Sequence, residues 1–233
     1  MGKERSNHAI ILAAGRGQRF GGSVPKQFQI VEGRPLIHYS LRTFLNHPDI
    51  HSVTVVLPED YMNFSLPVHG KMRPPVVGGK ERHDSTIRAL ANLSSDGGDG
   101  IIIHDAARPL VPHLLIGEVC RALHRADLVT PALPIGDALV DRDNLYVIDR
   151  AHYAAIQTPQ GFRCYILQEA MARLEQLGQM ENLAIPTCEF EIVRVLCPAA
   201  KAVLVAGHPQ NEKFTHPVDA DRMGRSLEKF STD

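Results

Sequence analysis

The sequence predicts an α/β fold: a Rossmann-like, mainly parallel sheet flanked by helices, with a projecting β-arm. Three observations carry that expectation. Short apolar runs alternate with amphipathic segments along the chain, as strands and crossover helices of a parallel sheet do. A glycine-rich segment directly follows the first apolar run, where open α/β sheets place their ligands. The 233 residues are 44% hydrophobic, enough for one substantial core, so a single domain over 1–233 is expected.

Residues 8–12 (HAIIL) read as a buried parallel strand and 13–27 (AAGRGQRFGGSVPKQ) as the glycine-rich loop. Residues 35–45 place Leu36, Tyr39, Leu41 and Phe44 near helical spacing, and 52–57 (SVTVVL) read as the next strand, which completes a βαβ unit. The alternation continues with a strand at 75–77, a helix at 84–93, a strand at 101–104, a helix at 112–125 and a strand at 128–133. Near Pro134 it breaks. Leu139-Val140 and Tyr146-Val147-Ile148 flank a polar turn, which suits a β-hairpin and places the arm at about 134–158. A helix at 163–177, a weakly patterned stretch at 178–198, a strand at 202–206 and a final helix at 219–230 complete the reading.

Composition removes several function classes. A net charge of −1 argues against a protein that coats nucleic acid, because neutralising many backbone phosphates needs a strongly basic face. Cys120, Cys164, Cys188 and Cys197 are widely spaced, so neither a zinc ribbon nor a disulfide framework is indicated, and the twelve histidines show no H-E-x-x-H pattern. No apolar run reaches transmembrane length and the start MGKERSN is polar, so no membrane association and a cytoplasmic location are expected.

The glycine-rich loop carries Arg16, Arg19 and Lys26, and no carboxylate occurs from Arg5 through Val31. Gly15, Gly17, Gly21 and Gly22 let the main chain approach a phosphate while the cations neutralise its oxygens. A P-loop would need Gly-Lys-Ser/Thr at its end, and the dinucleotide fingerprint would need glycine where Phe20 stands. Four further clusters fall at strand ends or in loops. In GGKERHDS (78–85), Asp84 or Ser85 is the expected helix cap. HDAARP (104–109) puts Asp105 where a carboxylate holds a ribose hydroxyl or Mg²⁺, and Arg108 where it grips a phosphate or simply pairs with Asp105. Asp137, Asp149-Arg150 and QTPQ (157–160) lie in or just beyond the arm, and Lys213 sits in NEKFT (211–215) ahead of a helix.

In order and spacing, AAGRGQRFGGSVPKQF, GGKERHDS, HDAARP, VIDR, QTPQGF and NEKFTHPVD resemble the 2-C-methyl-D-erythritol 4-phosphate cytidylyltransferases of the non-mevalonate isoprenoid pathway. The resemblance runs from about His8 to Leu227. It implies transfer of CMP from CTP to 2-C-methyl-D-erythritol 4-phosphate with release of pyrophosphate, by in-line attack with Mg²⁺ bound. By that resemblance the backbone at Ala13, Ala14, Gly15 and Gly17 cradles the nucleotide, Arg19 faces the β and γ phosphates, Lys26 reaches the α-phosphate, and Lys213 approaches from the other side. Gly79, Lys80 and Ser85 contact cytosine, and Asp105 and Ala106 lie by the ribose, with Asp105 also at the metal. Arg108, Thr158 and Lys213 match positions that hold the acceptor, and Arg150 matches one supplied by the arm of a second subunit, so a homodimer is expected.

Three positions depart from the family pattern. Asp137 is followed by Ala138 where relatives have threonine, Thr187-Cys188-Glu189 replaces Thr-Asp-Asp/Glu ahead of a β-branched run, and Glu212 stands beside Lys213. The second departure predicts a remodelled segment. The first keeps open a pentitol phosphate acceptor such as ribitol 5-phosphate, and the three together keep open a weakly active nucleotide-binding homologue. QTPQGFR also resembles versions of the family fused to a downstream cyclodiphosphate synthase.

Overall fold

The computed structural model describes residues 5–15, 24–177 and 186–215, together with 218, 219, 224, 226 and 227. Arg16, Gly17 and Arg19 of the loop, and most of the expected final helix, lie outside these residues.

The chain opens with β1 (Asn7–Leu12), whose apolar interior is buried on both faces. Beyond the loop, a 3-10 turn at Lys26–Phe28 leads to a small hairpin of β2 (Ile30–Val31) and β3 (Arg34–Pro35), then to α1 (Leu36–Leu45). There follow β4 (Ser52–Leu57), β5 (Val76–Val77), α2 (Arg82–Ala91), β6 (Gly100–Asp105), α3 (His113–Ala122) and β7 (Leu128–Pro134). The arm holds β8 (Leu139–Val140) and β9 (Val147–Ile148), which among the described residues pair with each other as a separate two-stranded sheet. The chain then returns through β10 (Ala154–Ile156) and β11 (Gln160–Arg163) to α4 (Cys164–Leu177), α5 (Glu189–Leu196) and β12 (Ala202–Ala206).

β1 sits centrally, parallel to β4 on one side and to β6 on the other, and β4 continues parallel to β5. Every residue of β4 and β6 is buried, as strands covered on both faces must be. The sheet is mixed. β11 runs antiparallel between β6 and β7, β10 is antiparallel to β7, and β12 is parallel to it. The sequence reading missed β10 and β11.

Because successive side chains of a strand face opposite ways, Ile10 and Ile11 enter different cores. Ile11, Val53 and Val55 meet Ile37, Leu41 and Phe44 of α1 and Ile116 and Val119 of α3. Ile10, Val56, Ile101 and Ile103 meet Ala89 of α2, Leu167 and Met171 of α4, and Ile192 and Val193 of α5. That packing, at roughly 1.5–3 kcal/mol per buried large apolar side chain, holds the carboxyl ends of β1, β4, β5 and β6 at one edge.

Two local expectations are corrected. The cap of α2 is Glu81 rather than Asp84 or Ser85: Asp84 falls at the third helical position and accepts the Glu81 N–H at 2.9 Å, a reciprocal capping box. The run EFEIVRVL is helix rather than a remodelled segment, because Ile192 and Val193 bury against the sheet and Glu189 has partners inside the fold.

Candidate active site

The glycine-loop stem is tied down first. Ala13 N–H donates to Val56 O at 2.9 Å, and buried Gln27 donates through Nε2 to Ala13 O at 2.5 Å and to Gly15 O at 2.9 Å. The Ala13 N–H is therefore spent inside the protein and Ala13 anchors the loop, while its carbonyl keeps one lone pair beyond Gln27. Ala106 N–H likewise donates to Leu12 O at 3.1 Å. Gly78-Gly79 turns tightly against this stem: a Cβ at Gly78 would collide with Ala14, and one at Gly79 with Asp84. Ser85 Oγ accepts the Gly79 N–H at 3.1 Å and lies 3.4 Å from Glu81 O, which leaves one lone pair for a ligand. Lys80 is exposed at the rim.

Asp105, at the end of β6, is buried among cations. Arg82 Nη1 lies 2.6 Å from Oδ1, Lys213 Nζ 2.7 Å from Oδ2 and Arg108 Nε 3.8 Å from Oδ2. Burial opposes charge on this carboxyl, but Arg82, Lys213 and Arg108 outweigh it and hold its pKa well below the usual carboxylate range. Arg108 donates through Nη1 to Asn211 O at 2.7 Å, while its Nε is buried without a hydrogen-bond acceptor among the described residues. A buried orphan donor beside a cation-ringed carboxylate suits an anionic oxygen.

Lys26 reaches the segment that carries Lys213, donating to Phe214 O at 2.7 Å. The segment 211–214 is itself pinned: Phe214 N–H donates to Ala107 O at 2.7 Å, and Asn211 Nδ2 donates to Thr158 O at 2.7 Å and to Gln157 Oε1 at 3.3 Å.

Thr158 sits between Asp105 and His104. His104 Nε2 lies 3.0 Å from Arg108 O, a pure acceptor, so Nε2 carries the proton. Nδ1 then accepts the Thr158 hydroxyl at 3.1 Å, and Thr158 Oγ1 accepts Asp105 N–H at 3.1 Å. Burial pushes the His104 pKa down to about 4, which keeps the imidazole neutral. The Thr158 hydroxyl proton is thus spent on His104, one lone pair of its oxygen holds the Asp105 N–H, and the other remains for a ligand.

The fold therefore gathers Lys26, Asp105, Arg108, Thr158 and Lys213, with the stem at Ala14 and Gly15 beside the Gly78-Gly79 turn. Arg150 stands apart, exposed on the arm and donating to the Gly136 carbonyl. Sequence reasoning gave no role to Arg82, Glu189, Gln27, Gln157 or Asn211. Arg82 lay inside a motif already singled out, and a buried polar residue between apolar neighbours, such as Glu189, was the available signal.

Fold and site together define a class, an open-sheet α/β protein whose carboxyl edge gathers a cluster of cations around one buried carboxylate. The chain belongs to the 2-C-methyl-D-erythritol 4-phosphate cytidylyltransferase family, whose model matches residues 7–227. A bifunctional enzyme IspD/IspF of Rhodospirillum rubrum is 38% identical over 224 residues, covering 93% of this chain and 56% of that protein. A bifunctional ribulose 5-phosphate reductase/CDP-ribitol pyrophosphorylase of Haemophilus influenzae is 33% identical over 247 residues, covering 98% and 50%. The crystal structure of 2-C-methyl-D-erythritol 4-phosphate cytidylyltransferase from Thermus thermophilus matches with a TM-score of 0.75 at 28% identity, over 94% of this chain and 98% of that one. The chain spans about half the length of the curated relatives it matches. Among the described residues no helix is long and apolar enough to cross a membrane.

Proposed function

We propose that this chain transfers CMP from CTP to 2-C-methyl-D-erythritol 4-phosphate, releasing pyrophosphate, as one domain over 1–233. The observation that carries the reading is the hydrogen bond of Lys26 to Phe214 O, which fastens the glycine-loop lysine to the segment whose Lys213 lies on Asp105 beside Arg108. In-line attack by the acceptor phosphate on the α-phosphorus needs no enzyme nucleophile, so catalysis rests on placing two anions together and neutralising the charge that builds between them. Lys26 and Lys213 flank the α-phosphate, Arg19 faces the outer phosphates, Ala14, Gly15 and Gly17 supply backbone N–H groups, and Arg108 grips the acceptor phosphate. Gly79, Lys80 and Ser85 form the cytosine pocket.

Asp105 fits a magnesium ion that arrives on the triphosphate, since Mg²⁺ takes one or two carboxylates plus phosphate oxygens and Asp105 Oδ2 keeps a lone pair beyond its Lys213 contact. When bound, the ion neutralises triphosphate charge. The assembly proposed is a homodimer in which Arg150 reaches the partner's site. Exposed Leu145, Tyr146 and Val147 on the arm support this, as apolar surface that a second subunit would cover. No nucleic acid or membrane partner is invoked, and the setting proposed is the cytoplasm.

Ala138 favours a second reading, since it offers no hydroxyl to the acceptor: a pentitol phosphate such as ribitol 5-phosphate replaces methylerythritol phosphate. Pyrophosphate release measured with CTP, Mg²⁺ and each polyol phosphate separates the two. Release with methylerythritol phosphate alone supports the first reading, release with the pentitol phosphate alone supports the second, and release with neither rejects both.

A further inference from the structure

Asp105 is held from behind. While Arg82 Nη1 donates to Asp105 Oδ1 at 2.6 Å, the Nε of the same guanidinium donates to Glu189 Oε2 at 2.9 Å. The other Glu189 oxygen accepts the Thr86 hydroxyl at 2.7 Å, and Glu189 is 0% exposed. A guanidinium offers its donors in one fixed plane, so gripping two carboxylates with Nε and Nη1 sets the orientation of both. Arg82 is the first residue of α2 and Glu189 the first of α5. The helix dipole opposes a cation at the start of a helix and favours an anion there, so two carboxylates, not local preference, keep Arg82 in place.

We propose that Arg82 and Glu189 are positioning residues: the chain of contacts Thr86–Glu189–Arg82–Asp105 braces the Asp105 carboxylate, turning Oδ1 inward so that only Oδ2 faces Lys213. With Oδ1 spoken for, Lys213 shares a single carboxylate oxygen and its remaining protons stay directed at an incoming phosphate. Released from Arg82, both Asp105 oxygens compete for Lys213 and Arg108, and the cations are drawn away from the phosphates. The kinetic part of this proposal rests on the cytidylyl-transfer reading above.

Glu189→Gln keeps an acceptor for Arg82 Nε and an amide that donates to Thr86, so it removes charge while keeping shape. Arg82→Lys keeps charge but does not span two carboxylates. Each variant is expected to lower kcat for pyrophosphate release roughly tenfold or more, with KM for CTP changed less than about threefold and Tm within a few degrees of the parent. In an Asp105→Asn background, Glu189→Gln is expected to add no further loss, because it acts through Asp105. An unchanged kcat, or the same fold-loss in both backgrounds, overturns the brace.

A readout independent of turnover is the arginine side-chain NMR spectrum of the unliganded protein. Arg82 should show a protected Nε–H that loses its protection in Glu189→Ala, and separate, slowly exchanging Nη signals that merge in Asp105→Ala. A freely rotating Arg82 guanidinium in the parent protein overturns the brace whatever the substrate. If the hindered signature is present but no polyol phosphate gives pyrophosphate, the cytidylyl-transfer reading fails and the brace is retained.

Discussion

The ammonium of Lys26 donates to the main-chain carbonyl of Phe214 at 2.7 Å, so the lysine that ends the glycine-rich loop is fastened to the segment carrying Lys213. Phe214 is fully buried and its own N–H is held by Ala107. The contact thus ties the exit of the first strand to a segment 188 positions away, the same segment whose Lys213 lies on Asp105.

Lys26→Ala and Lys213→Ala are each expected to lower turnover by roughly a hundredfold or more while CTP affinity changes far less, because the help of each cation is greatest where charge develops in the transition state. Steady-state kinetics with calorimetric CTP binding separates the two effects. Equal losses in affinity and none in turnover would count against these roles.

Arg150→Ala subunits mixed with Lys26→Ala subunits are expected to recover part of the lost activity, since each heterodimer then holds one site with both intact residues. Failure to recover any activity in mixed dimers argues that Arg150 serves its own subunit or none.

Much of the fold was legible. β1, β4 and β6 are dominated by Ala, Ile, Leu and Val because both their faces are covered, and α1 through α4 announced themselves by spacing. β10 and β11 were not, because their sequences, AAI and QGFR, carry no apolar alternation. Gln160 and Arg163 are buried through hydrogen bonds, not hydrophobicity: Gln160 Oε1 accepts Phe190 N–H at 3.3 Å and Arg163 Nη1 donates to Gly98 O at 3.0 Å. In α5 the β-branched Ile192, Val193 and Val195 disfavour helix only by tenths of a kcal/mol each, about what propensity differences amount to, and burial of the first two overrides that. At the site, Asp105, Arg108 and the two lysines stood in recognisable motifs. The partnership of Arg82 with Glu189 spans 107 positions and exists only after α2 and α5 pack on the same face of the sheet.

Gly78→Ala tests the close approach of the α2 turn to the loop stem. With Ala14 directly in the path of a Cβ, the substitution is expected to cost about 1–3 kcal/mol of stability, in the range of core overpacking, and to weaken CTP binding. Denaturant unfolding together with calorimetry checks both; an unperturbed protein means the turn has room to shift.

Stability should fall on mild acidification. His8 and His47 are buried, and burial pushes both imidazoles below their ordinary 6.5. A group whose folded pKa is depressed contributes its full share above the unfolded value and loses it as pH drops from 6.5 toward the folded value. Unfolding free energy should therefore decline below pH 6.5 with a slope of up to about 1.4 kcal/mol per pH unit for each such histidine. The variants His8→Asn and His47→Asn should flatten that slope; an unchanged slope in both would assign the acid sensitivity elsewhere.

The most direct measurement is a crystal structure with CTP and Mg²⁺ bound. The expected result has the triphosphate between Lys26 and Lys213, both ammonium groups within hydrogen-bonding distance of phosphate oxygens and the cytosine against Gly78-Gly79. A triphosphate bound elsewhere, with Lys26 still on the Phe214 carbonyl and Lys213 still on Asp105, would contradict the account.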